Sequence, residues 1–206
     1  MHIDLTHYSY LTPLSKRIDL SEDCKNLLYL NHKEKTWEHV QQVAKVAQDL
    51  ALTYSIDPQS AYICGLLHDI SAIIKPEDML GLMKENQQNI DPAEEKYPFL
   101  LHQRISALIA QDYFQINDPM ILSAIACHTT LHTSPTKLDM ILFLADKIAW
   151  DQAGEAPYLK ELTVSLTHSL ERACLTYINY LFNEGNLLYP HHDLIEAQQY
   201  LMGITL

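Results

Sequence analysis

The chain has 206 residues, 48% of them hydrophobic, and a formal net charge of −12 at pH 7; this supplies one sizeable core and leaves a second independent domain cramped. The acidic excess repels a phosphate backbone and so excludes broad nucleic-acid binding, leaving a small ligand as the expected partner. Five glycines and four phenylalanines, with few hairpin-turn pairs, exclude a strand-rich sandwich or barrel, and the expected fold is an all-α, single-domain helical bundle.

Residues 1 to about 35 are mixed in character and read as a packed amino-terminal arm, in which Asp19-Leu20-Ser21-Glu22 is fit to cap a short helix. The main domain is expected over residues 36–206. From Thr36, residues Val40, Val43, Ala44, Ala47, Leu50, Ala51 and Tyr54 keep the i, i+3, i+4 spacing of an amphipathic helix with His39 at the edge of its stripe. Asp57-Pro58 opens a helix running to about residue 69, apolar on nearly every face in its last two turns, as a central helix must be. It carries His68 and Asp69 into the core.

Pro76-Glu77-Asp78 starts a helix to about residue 85, and residues 86–98, polar and with Pro92 and Pro98, are expected to be a loop. Helices follow over about 101–113, 119–128 and 137–150, with a Pro135-containing connection between the last two. Each brings one polar side chain to an apolar face: His102 beside Ile105, Ser106 and Ile109; His128 after Ile121, Ala124 and Ile125; Asp146 among Leu138, Leu142, Ala145 and Ala149. One long helical stretch is expected over 157 to about 183, and a final helix over 190 to about 202 with Gly203 beyond it.

Cys24, Cys64, Cys127 and Cys174 are widely spaced and form no Cys-x-x-Cys pair, and the polar amino terminus carries no secretory signal, which is the pattern of reduced thiols in a cytoplasmic protein. The longest apolar stretch, near residues 140–145, is too short to span a bilayer, and no basic amphipathic face suggests attachment to one.

A lone histidine on an apolar face is usually a hydrogen-bonded core residue. Six inward imidazoles and carboxylates, His39, His68, Asp69, His102, His128 and Asp146, are different, because burying them all without a shared cation leaves many polar atoms unsatisfied. The set contains no thiolate and suits iron, manganese, zinc or nickel. Six ligands exceed what one open catalytic ion needs, whereas two ions about 3.5–4 Å apart use them all, with Asp69 as the natural bridge and the central catalytic carboxylate. Such a pair hydrolyses phosphoesters or phosphoanhydrides.

In order and context these residues resemble the HD-domain metal-dependent phosphohydrolases. Trp37-Glu38-His39-Val40, Leu66-Leu67-His68-Asp69, Leu101-His102, His128-Thr129 and Phe143-Leu144-Ala145-Asp146 are similar, more narrowly, to the bacterial symmetrical bis(5′-nucleosyl)-tetraphosphatases of that superfamily. The resemblance runs from about Thr36 to the end, leaving the arm outside. It implies a di-iron-type centre and hydrolysis of diadenosine tetraphosphate to two ADP. The chain also departs from the family pattern. Ala72 stands where a lysine is usual, Leu131-His132-Thr133-Ser134-Pro135 replaces a Gly-Arg-Pro-Gly-like loop, and Ala149-Trp150-Asp151-Gln152 replaces a Glu-Pro or Glu-His segment with a nearby arginine.

Arg104, Lys147, Thr129 and His132 are the residues available to contact phosphate, His132 in place of the absent loop arginine. His2, His7, His32, His168, His191 and His192 read as surface or packing residues, with no second metal site among them. Two other functions fit the residues: a nucleotide phosphohydrolase of different specificity, such as a 5′-nucleotidase or guanosine polyphosphate hydrolase, or a non-catalytic metal-containing nucleotide-binding module. A homodimer is compatible with either.

Overall fold

The computed structural model describes residues 19–150, 154–183, 187 and 189–205. Among the described residues the secondary structure is helical throughout, with no strand. His2, His7, Asp151 and Gln152 lie outside them.

Helix α1 (Leu20–Leu30) starts where Asp19 accepts a hydrogen bond from the Glu22 amide at 2.9 Å, satisfying one of the free donors of the first turn. Its Cys24, Leu27 and Leu28 are buried, and it packs on α2 (Glu34–Thr53) and α3 (Pro58–Leu67). Asp57 caps α3 through the Gln59 and Ser60 amides, with Pro58 in the first turn, where its missing N–H costs nothing. The chain continues through a 3₁₀ turn (Ile70–Ile73), α4 (Pro76–Glu85), α5 (Pro92–Lys96), a second 3₁₀ turn (Pro98–Leu101), α6 (His102–Asp112), α7 (Pro119–Cys127) and α8 (Lys137–Ile148). It ends in α9 (Leu159–Leu166), α10 (Leu170–Asn183) and α11 (His192–Thr205).

Helix α3 is the axis of the bundle, with α2 along one side and α7 and α8 along others; α6 lies beside α7, and α10 covers α8 with α9 and α11 at its flanks. The α2–α3 contact is close because Gly65 has no side chain. A Cβ there would stand 2.3 Å from the Ala44 Cα and 2.6 Å from its amide nitrogen. With Ala44, Ala47 and Ala61 also buried, the small-residue faces bring the two backbones together, which sets His39 on α2 near His68 at the end of α3.

Three expectations are corrected. The loop expected over residues 86–98 contains α5, held by a capping box in which the Asp91 carboxylate accepts from the Ala93 amide and the Glu94 carboxylate from the Asp91 amide. The long helix expected over 157–183 is two, parted at Thr167-His168-Ser169, where the Thr167 hydroxyl donates to the Val164 carbonyl and the Ser169 hydroxyl accepts the Arg172 amide. Gly203 lies inside α11, not beyond it. No helix among the described residues is long and apolar enough to cross a membrane.

Candidate metal centre

The six predicted ligands converge from five helices. His39 projects from α2, His68 and Asp69 close α3, His102 opens α6, His128 closes α7, and Asp146 sits in the last turns of α8. Helix ends are suited to this role, because a side chain there can turn across the axis of its helix toward a neighbour.

Three of the imidazoles are oriented alike. The Nδ1–H of His68 donates to the Gly65 carbonyl at 2.8 Å, that of His102 to Phe99 at 2.7 Å and that of His128 to Ile125 at 2.8 Å, each three residues back along its own chain segment. This bond fixes the tautomer and leaves each Nε2 lone pair directed into the centre. There His102 Nε2 and His128 Nε2 face each other at 3.0 Å, with Asp69 Oδ1 at 3.6 and 3.5 Å from them. The other Asp69 oxygen is 3.7 Å from His68 Nε2, which is also 3.5 Å from Asp146 Oδ1; His39 Nε2 is 3.2 Å from that same Asp146 oxygen. Ligand atoms of His39, His68 and Asp146 form one close group, and those of His68, Asp69 and His128 another.

These groups fit divalent cations. His68 Nε2 is fully buried and makes no hydrogen bond among the described residues, an orphaned ring nitrogen that a cation would satisfy. The protonation states agree. Burial holds His102 below the ordinary imidazole value and takes His128 down to about 4, so both rings are neutral donors near neutral pH. Burial opposes ionisation of Asp69 and Asp146, yet His68, His102 and His128 around the first, and Lys147, His39 and His68 around the second, keep both carboxyls well below the usual range. Burial likewise opposes charge on His68, but Asp69 and Asp146 outweigh it and raise its pKa to about 9, and a cation held by the same carboxylates would compete with that proton.

A cleft of about 450 Å³ opens over the centre, and Lys35, His39, Asp69, Asp146, Lys147 and Trp150 are among its lining residues. Phe99, Tyr158 and Tyr177 complete its aromatic wall, with Phe99 stacked on His102 at 4.8 Å between centroids. Sequence reading missed these aromatics, since each follows an ordinary apolar pattern; the available signal was the position of Phe99 three residues before His102, from where its carbonyl holds that ring.

Of the four residues expected at phosphate, two lie at the centre. The Lys147 ammonium is buried, donates to Asp146 and to the His128 carbonyl at 3.3 Å, and lies over the Phe143 ring at 5.1 Å. Burial works against its charge, but Asp146 more than compensates and its pKa is raised. The Thr129 hydroxyl donates to His102 Nε2 at 3.2 Å. The other two face elsewhere. Arg104 binds both oxygens of the buried Glu94 at 3.0 and 2.8 Å and the Asn89 carbonyl, and His132 Nε2 lies 3.3 Å from Asp139 Oδ2.

The all-helical bundle with a His/Asp cluster beneath an open cleft is a candidate metal-binding site, and the comparisons with known proteins give its class. The family model for the HD domain matches residues 36–151, and the chain belongs to that family. It is 36% identical to an uncharacterized protein from the pepC 5′ region of Lactococcus lactis subsp. cremoris over 74% of this chain and 77% of that one. To a probable nicotinate-nucleotide adenylyltransferase/Ap4A hydrolase of Mycoplasma genitalium it is 31% identical over 73% of its own length, spanning only 43% of that longer protein. The symmetrical bis(5′-nucleosyl)-tetraphosphatase of Halalkalibacterium halodurans is 27% identical over 76% of this chain and 84% of that one. Among solved structures, a predicted HD superfamily hydrolase involved in NAD metabolism from Clostridium acetobutylicum superposes with a TM-score of 0.80 at 26% identity, over 91% of this chain and 99% of the other. The chain is thus a phosphohydrolase of the HD superfamily, a class that uses divalent metals.

Proposed function

We propose that the protein hydrolyses a phosphoanhydride bond in a small nucleotide, cleaving diadenosine tetraphosphate symmetrically to two ADP, at a dinuclear centre held by His39, His68, Asp69, His102, His128 and Asp146. The observation that carries this reading is the pair of adjoining ligand groups, His39 with His68 and Asp146, and His68 with Asp69 and His128, in which the Asp69 carboxylate lies between His68 on one side and His102 and His128 on the other. Those residues would hold two divalent cations, iron by family resemblance, which would supply Lewis acidity toward phosphoryl oxygens and lower the pKa of a water toward neutrality. The names of the relatives at Halalkalibacterium halodurans and Mycoplasma genitalium support the tetraphosphate substrate.

The protein's own groups do the rest. Asp69 and Asp146 stay ionised and hold positive charge in place, while the shared tautomer of His68, His102 and His128 keeps their Nε2 atoms ready. Lys147 and Lys35 provide the positive charge along the cleft to receive phosphate, Thr129 offers a hydroxyl beside His102, and the aromatic wall offers a face for a nucleobase.

A second reading, an HD nucleotide phosphohydrolase acting on a smaller nucleotide, is favoured by one observation: Arg104 is committed to Glu94 and His132 to Asp139, so the charge for a long polyphosphate is thin. Elemental analysis of anaerobically purified, chelator-free protein, followed by chromatography of products from a nucleotide panel, tests both. ADP alone from diadenosine tetraphosphate supports the first reading. AMP plus ATP rules out symmetric cleavage, turnover confined to mononucleotides selects the second reading, and no turnover with the metals fully loaded leaves a nucleotide-binding module.

A further inference from the structure

Where α7 passes into α8, a second group of ligand-type side chains comes together: Cys127 at the end of α7, His132 in the connection and Asp139 in the first turn of α8, with one ligand atom from each within 4.8 Å of the others. We propose that these three form a separate zinc site, set apart from the six-residue centre by its thiolate.

The Asp139 carboxylate is fully buried. One oxygen, Oδ2, accepts the Thr136 amide at 2.7 Å and lies 3.3 Å from His132 Nε2; the other, Oδ1, is buried with no hydrogen-bond partner among the described residues. Capping of α8 needs only one of the two, so the cap accounts for Oδ2 and leaves Oδ1 unexplained. A buried acceptor without a donor is costly, and a cation removes the cost.

The two other side chains suit that cation. His132 Nδ1–H donates to the Thr133 carbonyl at 2.8 Å, which leaves the Nε2 lone pair facing Asp139, the same tautomer logic as in the main centre. Cys127 is buried, and among the described residues its sulfur has only a weak 3.8 Å hydrogen bond to the carbonyl of Ala124 on its own helix. A thiolate, an imidazole and a carboxylate make a mixed soft and borderline set that fits zinc, with water in a fourth position. His132 retains about a third of its side-chain exposure, 35%, which gives an ion a way in. On binding, the Cys127 thiol gives up its proton to solvent and the sulfur bonds to zinc, with no change of oxidation state.

The position suggests a structural use. The site would tie the end of α7, next to His128, to the start of α8, which carries Asp146, and would brace the connection in which Leu131 and Ser134 adopt positive φ of 55° and 57°.

Cobalt tests this without reference to activity, because none of the six residues of the main centre contains sulfur. Reduced, metal-stripped full-length protein titrated with Co²⁺ is expected to develop a thiolate-to-cobalt charge-transfer band equivalent to one thiolate-bound ion per chain, bleached by Zn²⁺. Cys127→Ser should abolish the band, and His132→Ala, at a partly exposed loop position, should weaken cobalt binding at that site at least about tenfold. Asp69→Ala should leave the band in place. Absence of the band, its survival in Cys127→Ser, or unchanged affinity in His132→Ala would each overturn the proposal.

Discussion

At the scale of single residues, Asp69 and Gly65 matter for different physical reasons. The two oxygens of Asp69 face His68 on one side and His102 and His128 on the other, so Asp69→Ala is expected to lose both ions of the proposed centre by elemental analysis, together with all measurable hydrolysis; full activity in that variant would place the chemistry elsewhere. Gly65 is chemically inert but geometrically demanding. The Cβ of Gly65→Ala would meet the Ala44 backbone at 2.3 Å, and backbone cannot rotate away as a side-chain tip can. Overpacking of this kind costs about 1–3 kcal/mol. Denaturant unfolding should register that loss, and metal affinity should fall with it, since the same displacement moves His39 from His68. Sequence reading singled out the six candidate ligands because imidazoles and carboxylates stand out on apolar stripes, but it could not judge residues chosen only by proximity along the chain. Arg104 lies two positions beyond His102, about 200° around a helix, and therefore points to Glu94.

At the scale of elements, the starts of helices were legible and some of their interiors were not. Asp19, Asp57 and Asp118 announce α1, α3 and α7 as N-caps, two of them followed by proline. Helix α5 went unread because five residues hold no period, although its Asp91-Pro92-Ala93-Glu94 box is written in the sequence; the break after α9 went unread because Thr167, His168 and Ser169 interrupt the stripe without glycine or proline. The same box leads to a prediction. Glu94 is the buried hub that joins α5 to α6 through Arg104 and to the start of α11 through His191, 3.7 Å away. Burial opposes charge on both partners, yet His191, the Asp91 amide and Arg104 lower Glu94 from its ordinary 4.5, and Glu94 raises His191 from its ordinary 6.5. The stabilisation from Glu94 is fully present above about 4.5 and is lost as pH falls through its lower folded value; that from His191 is fully present below about 6.5 and is lost as pH rises through its higher folded value. The difference in Tm between the parent and His191→Gln should therefore be greatest between about pH 4.5 and 6.5 and shrink on either side. A difference independent of pH would mean that His191 acts by packing alone.

At the scale of the whole molecule, the proposed centre is the junction of α2, α3, α6, α7 and α8, and cations there would bind the folded chain far more tightly than the unfolded one. Chelation is accordingly expected to lower Tm, and returning metal to restore it, in proportion to the logarithm of free metal; an unchanged Tm with the metal demonstrably gone would separate the centre from stability. The reach of the centre along the chain has a consequence for how the protein comes to be folded. His39 and Asp146, in contact at 3.2 Å, are 107 positions apart, so that contact closes one of the longer loops in the bundle. Helices α2 and α3 are neighbours and can pair early, whereas His39 can meet Asp146 only after α8 has docked on both. The metal-binding geometry is then expected to form late, after the rate-limiting barrier. In stopped-flow measurements His39→Ala should accelerate unfolding of the metal-loaded protein while leaving its refolding rate nearly unchanged, and a variant that refolds slowly would show instead that the centre helps to nucleate the bundle.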